Sequence, residues 1–314
     1  MKVSIIMCAY NSAQYIERAI QSIIDQTYTN WELIISDDAS PGDNTVEIAQ
    51  RYADKDPRVK VIVQPENLGY LGNKNDALKR ATGELVTQLD ADDTSKPERL
   101  EKQVAPFLND PKLMICGTNY EIIDEQDNVL ECKEYEQDFV IAELQREYPF
   151  WFPGLMWRKE LFNEVGYFSD YFDDVYGDDH YWTYVVNSKY PIYFVKDALY
   201  GYRSNPNSLT NVFDSPRKMF ANELLGELYR QIKETGTDWL QKNQRRKLRD
   251  FEMSLFQDNA LMAEKYRIWA AKAIDRKDWA TAKKLILKKL KYKKNSIDGF
   301  RTILYYYRRK YLNS

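Results

Sequence analysis

Residues 2–25 read KVSIIMCAYNSAQYIERAIQSIID. The first seven form a β-branched apolar run, and behind Asn11 and Ser12 the residues Ile16, Ala19, Ile20, Ile23 and Ile24 recur at helical spacing. The pattern predicts a strand over 2–8, a loop, and a helix over 11–25. The same alternation continues, with strands expected over 31–36, 59–63 and 84–89 and helices over 44–53 and 71–81. Strand–helix alternation implies a parallel sheet covered by helices, whose ligands sit beyond the carboxyl ends of the strands. The loops that open there are 9–12, 37–43, 65–69 and 90–95. Past residue 107 the apolar segments shorten (114–123 and 154–157), a helix starts near 178, and strands are expected at 192–195 and 199–203. The sheet should therefore continue with antiparallel additions. From about 215 the pattern is helical, with a hairpin-like pair over 258–275 and 279–291. A final stripe of Ile297, Phe300, Leu304, Tyr307 and Tyr311 lies beside Arg301, Arg308 and Lys310.

The chain has 314 residues, 44% hydrophobic and 30% charged. That is enough to bury a core, and no apolar run approaches the ~20 residues of a membrane span. The run after Lys2 is too short and wrongly flanked for a signal peptide, so a cytoplasmic setting is expected. Cys8, Cys116 and Cys132 are odd in number and far apart, and His180 is the lone histidine; neither a disulfide framework nor a multi-histidine metal site is expected. The net charge of −3 hides an asymmetry: 239–314 carries 21 Lys and Arg against 7 Asp and Glu, a net +14, which leaves 1–238 at −17. Such a chain is an acidic body with a basic helical tail, and no nucleic-acid partner is expected.

The sharpest chemical signal is Asp90-Ala91-Asp92-Asp93, directly after an apolar strand. Ser95, Pro97 and Glu98 read as a helix-capping box, but capping does not account for Asp90 and Asp92. Two carboxylates one residue apart can converge on Mg²⁺ or Mn²⁺, cations held by few carboxylates plus substrate phosphates. Asp37 and Asp38 follow another strand and read either as a turn or as acceptors for a nucleotide base or ribose. No Gly-rich phosphate loop of the Rossmann or P-loop kind is present, which assigns the phosphates to a metal. Asp178 and Asp179 open a helix; they suit its dipole, or they include a general base for an acceptor hydroxyl. Trp151, Phe152 and Trp157 read as a platform for sugar rings or as core packing.

These pieces together resemble the inverting nucleotide-sugar transferases of glycosyltransferase family 2, with the GT-A fold. The resemblance runs over about 2–210, through the stretch 3–11, Asp37 to Ser40, Asn67-Leu68-Gly69 with Asn75, Asp90 to Asp93, Gly177-Asp178-Asp179 and Tyr202-Arg203. It implies a catalytic domain over 1–214, with a nucleotide-sugar half over about 1–110 and an acceptor half over about 111–214, followed by a basic helical region over 215–314. It further implies that Ala9, Tyr10 and Asn11 line the nucleotide, Asp38 contacts the base, and Lys74 lies near base or phosphates. Asp92 would bind the metal and Asp90 would face the ribose or sugar. Asp179 matches the catalytic aspartate, with Asp178 where Glu is usual. Two residues past Arg203, where many relatives carry histidine, stands Asn205, a weaker metal ligand that shifts the expectation toward Mg²⁺.

The expected donor is a nucleoside-diphosphate sugar, UDP-linked by family weight, and the acceptor a saccharide or lipid-linked saccharide. The rival readings are a nucleotidyltransferase that makes nucleotide sugars and a catalytically degenerate sugar- or membrane-binding protein. The basic tail reads either as a solvated surface or as a peripheral contact with an anionic membrane.

Overall fold

A computed structural model describes residues 1–132, 134–148, 152–204, 215–292 and 297–311. The chain divides into two units, one of 1–211 with 232–236, the other of 212–231 with 237–314.

The first unit is a mixed sheet with helices. Its first half runs β1 (Val3–Ala9), α1 (Ile16–Ile24), β2 (Trp31–Asp37), α2 (Thr45–Ala53), β3 (Val59–Val63), α3 (Gly69–Arg80), β4 (Leu85–Gln88), β5 (Thr94–Ser95) and α4 (Arg99–Asn109). Then come β6 (Ile115–Ile123), β7 (Val129–Cys132), β8 (Phe139–Ile141), β9 (Met156–Arg158), α5 (Leu161–Val165), α6 (Asp178–Asn187) and β10 (Ile192–Arg203). Strand order is β3-β2-β1-β4-β9-β6-β10-β5, with β7 beside β6 and β8 beside β10. The first four strands are parallel, and β9 joins antiparallel to both β4 and β6. Ala9 pairs with Asp37 and Asp37 with Val63, so three carboxyl ends line one edge.

Buried Ile, Leu, Val and Ala from β1, β2, α1 and α4 form one core cluster that extends to Tyr200 of β10. β1 and β2 are buried along nearly their whole length, as strands covered on both faces must be. Inside that apolar layer Glu32 is 1% exposed. Its carboxylate accepts from the Ser4 hydroxyl (2.6 Å), the Thr82 N–H (2.8 Å) and hydroxyl (2.7 Å), and the ammonium groups of Lys2 (2.9 Å) and Lys60 (2.7 Å). One side chain thus ties β1, β2, β3 and the approach to β4.

Three local expectations change. Helix α1 starts at Ile16, not near 11, because the Ser12 carbonyl takes the Tyr15 and Ile16 N–H groups and Asn11 adopts a left-handed φ of 50°. Ser95 is not a helix cap: it pairs with Tyr200 across β5 and β10, its hydroxyl accepts from Gln26 (3.1 Å), and α4 follows Glu98. The two short strands expected at 192–203 are one strand, bent by register shifts between Val195 and Tyr200.

The second unit contains α8 (Arg245–Gln257), α9 (Asn259–Asp275), α10 (Trp279–Tyr292) and α11 (Ile297–Tyr311), while α7 (Ala221–Thr235) is shared between the units. The Asp258 carboxylate caps α9 by accepting from the Ala260 (2.9 Å) and Leu261 (3.0 Å) N–H groups. Helix α11 has an inward and an outward side over its described side chains. Its buried side is Thr302 and Tyr306, with Tyr306 edge-on to Trp279 at 5.9 Å, whereas Leu304, Tyr307 and Tyr311 are exposed. Among the described residues no helix is long and apolar enough to cross a membrane.

Burial alone would raise the Glu32 carboxyl, but the donors of Lys60, Ser4, Lys2 and Thr82 outweigh it and hold the group well below the usual range. A carboxylate with a lowered folded pKa stabilises fully above its unfolded value of about 4.3 and loses that contribution as pH falls through the folded value. Glu32→Gln should therefore lower unfolding free energy at pH 7 by about 1–3 kcal/mol. Urea denaturation at pH 7 and pH 3 should show a smaller difference between variant and wild type at pH 3.

Candidate active site

The carboxyl edge of the parallel strands is built first from loop contacts. At the end of β1, Ala9 is buried, while Tyr10 and Asn11 are exposed. The Asn11 N–H donates to the Ser40 hydroxyl (2.9 Å), which donates to the Asp37 carboxylate (2.6 Å). Asp37 is therefore a clamp between the first two loops. Asp38 is also buried; its carboxylate accepts from the Leu68 N–H (2.7 Å), and its carbonyl accepts from the Asn67 amide (3.2 Å). Burial raises the Asp38 carboxyl, partly offset by the backbone donors at Leu68 and Gly69.

The second layer is the 90–93 loop. Asp90 accepts from the Gln88 amide (2.5 Å), and its N–H donates to the Tyr200 oxygen (3.2 Å). Asp93 is 1% exposed and accepts from the Tyr200 hydroxyl and the Arg203 N–H (2.8 Å). The Arg203 guanidinium, fully buried, donates to the carbonyls of Asp92 (2.6 Å) and Asp124, pairs with Asp127, and lies 4.9 Å from the Tyr15 ring centroid. Gly201 pairs with Thr94, and a Cβ on it would come within 2.3 Å of the Thr94 hydroxyl. Only glycine lets β10 approach this loop so closely.

The third layer is the start of α6. Tyr176 (φ 67°) and Gly177 (φ 94°) are both left-handed, which redirects the chain so that Asp178 and Asp179 head the helix. Asp178 is buried and accepts from the Lys74 ammonium at 3.3 Å. Lys74, 1% exposed, also donates to the Tyr70 hydroxyl (3.3 Å) and sits 3.8 Å from the Phe168 ring centroid and 4.7 Å from that of Phe152. Burial pushes the Asp178 carboxyl up, against the pull of Lys74. Asp179 is half-exposed, and its carboxylate accepts from the His180 N–H (2.7 Å). Among the described residues Asp179 has no ion pair; His180 is exposed.

The structure thus brings together the loops of Ala9, Tyr10 and Asn11, Asp38, the 90–93 loop and the head of α6. Burial, and next the charge of Asp92, push the Asp90 carboxyl up to about 6, with Asp179 adding to the rise. The three carboxylates therefore share one field. Carboxylate oxygens are the donor type that a hard divalent cation takes. Among the described residues no group of three or more His, Cys, Asp or Glu could hold a metal ion.

Lys74 turns its ammonium to Asp178, because a buried cation requires a buried anion. One expectation is corrected. Trp157 (0% exposed) and Phe152 (6%) do not present faces to an acceptor. They are packed with Trp182, Phe162 and Phe168 at centroid distances of 5.5–6.2 Å, so core packing claims them. Trp151 and Asn205 lie outside the described residues. Sequence reading missed Tyr200, Arg203 and Asp127 as supports of the 90–93 loop. The 110-residue separation of Arg203 from Asp93 leaves no local signal, although Gly201 beside them marks a close backbone approach.

Residues 4–184 match the model of a family described as "Glycosyl transferase family 2". The chain is 42% identical over 125 residues to the putative glycosyltransferase EpsE of Bacillus subtilis, covering 40% of this chain and 45% of that one. It is 39% identical over 122 residues to the UDP-Glc:alpha-D-GlcNAc-diphosphoundecaprenol beta-1,3-glucosyltransferase WfgD of Escherichia coli, covering 39% and 47%. The chain spans about half the length of the curated relatives it matches. Among solved structures, S. aureus TarS 1–349 in complex with UDP-GlcNAc superposes with a TM-score of 0.61 at 21% identity, over 99% of this chain and 92% of that one. At that identity the likeness establishes a common fold.

The Lys74–Asp178 pair supplies a test of how the site is held. Lys74→Met should cost about 3–5 kcal/mol in urea denaturation, because it leaves Asp178 buried without a counter-ion. Lys74→Met with Asp178→Leu should recover most of that loss; simple additivity of the two single losses would show that the pair does not couple.

Proposed function

The chain belongs to glycosyl transferase family 2, and from that premise we propose that it moves a sugar from a UDP-linked donor to a hydroxyl of a saccharide or lipid-linked saccharide, with inversion. The observation that carries this reading is the division of labour at the head of α6. Asp178 is committed to Lys74, while Asp179 stays accessible within the field of Asp90 and Asp92.

In the proposed reaction Asp179 accepts the proton of the acceptor hydroxyl as its oxygen attacks the anomeric carbon from the face opposite the leaving group. The bond from that carbon to the diphosphate oxygen breaks, and the nucleoside diphosphate leaves with the electron pair. Asp92 would hold a divalent cation, Mn²⁺ or Mg²⁺, whose charge offsets that developing on the diphosphate. Ala9, Tyr10 and Asn11 line the nucleotide, Asp38 holds the Leu68 loop against its base, and Asp90 faces the ribose or sugar. Lys74 acts indirectly, by holding the Asp178 carboxyl in place. TarS, crystallised with UDP-GlcNAc, and WfgD, named for UDP-Glc and a diphosphoundecaprenol-linked acceptor, support the donor and acceptor classes. With such an acceptor the enzyme would work at the inner face of a membrane, in polysaccharide assembly.

Asp179→Asn should lower turnover by ~10²–10⁴-fold while leaving UDP binding near wild type. Full turnover in that variant would reassign the base. UDP with Mn²⁺ at ~100 times its dissociation constant should stabilise the wild type by ~2.7 kcal/mol in thermal unfolding, and Asp92→Ala should abolish the metal-dependent part. Release of pyrophosphate from a nucleoside triphosphate would instead favour a nucleotidyltransferase.

A further inference from the structure

Helices α10 and α11 contain nine Lys and Arg against one Asp. On α11 the inward side is settled by contacts. Tyr306 packs on Trp279, the Lys289 ammonium donates to the Thr302 hydroxyl (3.4 Å), and the Tyr305 hydroxyl donates to Asp275 of α9 (2.6 Å). Opposite stand Leu304 (53% exposed), Tyr307 (54%) and Tyr311 (62%), spaced three and four residues apart, with exposed Arg308 among them. The Tyr307 and Tyr311 rings stack at 6.0 Å, and the Lys310 ammonium lies 5.3 Å from the Tyr311 centroid. Helix α10 repeats the pattern: Leu287 (55% exposed) shares a side with exposed Lys283, Lys284 and Lys291.

A purely solvated helix has no need to expose leucine and stacked tyrosines along one side, and a protein partner for a face this basic would have to be strongly acidic. Leucine inserts among acyl chains, tyrosine rings settle at the headgroup level, and lysine and arginine meet anionic phosphates. We infer that the exposed sides of α10 and α11 form a docking surface for an anionic lipid bilayer. The inference rests on the membrane placement proposed above and names the surface and the lipid charge that achieve it.

The test is sedimentation of the full chain with vesicles of phosphatidylcholine alone or mixed with phosphatidylglycerol, in low and high salt. Wild type should pellet with the anionic vesicles only, and the bound fraction should fall as salt rises. Leu304→Ser/Tyr307→Ser/Tyr311→Ser and, separately, Lys291→Glu/Arg308→Glu should each weaken binding at least tenfold. Both variants should keep wild-type circular dichroism and wild-type transfer to a water-soluble acceptor. Equal binding by both variants would overturn the surface and leave the membrane placement standing. No binding by wild type would overturn both, without touching the transfer reaction, since the vesicles carry no acceptor. Binding to RNA that competes with vesicles, or a dimer that the serine variant dissociates, would assign the face to nucleic acid or to a second copy and overturn the proposal.

Discussion

Crowding of like charge at one edge of the sheet governs the construction of the first unit. Asp90, Asp92, Asp93, Asp178 and Asp179 come from two segments far apart in sequence, and an apolar core lies directly behind them. Three of them are answered by specific donors: Asp93 by Tyr200 and the Arg203 N–H, Asp178 by Lys74, and Asp90 by the Gln88 amide. The answers are incomplete around Asp90, which stays raised by burial and by Asp92. That residual repulsion is electrostatic, of the kind an opposite charge relieves.

Several other features follow from holding this edge in place. Arg203 reaches the Asp92 carbonyl and Asp127 together, because a planar guanidinium fork holds several acceptors in fixed directions at once. Gly201 removes the Cβ that would keep β10 away from Thr94. Tyr176 and Gly177 accept left-handed backbone so that α6 begins with its two aspartates at the positive end of the helix dipole. The aromatic cluster of Phe152, Trp157, Phe168 and Trp182 then closes around the Lys74–Asp178 pair as an apolar wall.

Periodicity made the first half of the sheet legible, since parallel strands buried on both faces and amphipathic helices carry strong local patterns. Acidic residues after strands β2 and β4 marked the carboxyl edge of the sheet. The aromatic segment near Trp157 misled because a ring that covers a sugar and a ring that covers another ring have the same sequence signature. Ser95 misled because the capping pattern is local, whereas its pairing with Tyr200 spans more than a hundred residues. The stripe on α11 was legible in spacing but not in the side it takes: Leu304, Tyr307 and Tyr311 face out, while Tyr306 and Thr302 have partners on α10.

By itself the sequence determined the order of strands and helices through β4, the position of the carboxylates at strand ends, the family resemblance, and the separation of an acidic body from a basic helical tail. These are properties of spacing and composition, which act over a few residues or over the chain as a whole. Only the tertiary structure decided which carboxylate is tied to Lys74 and which remains accessible, how Arg203 and Tyr200 support the 90–93 loop, and which side of α11 faces out. The first two outcomes depend on partners brought from 79 to 110 residues away and the third on neighbouring helices 13 to 30 residues away; burial energy is settled by the neighbours a side chain finds, not by the residues beside it in sequence.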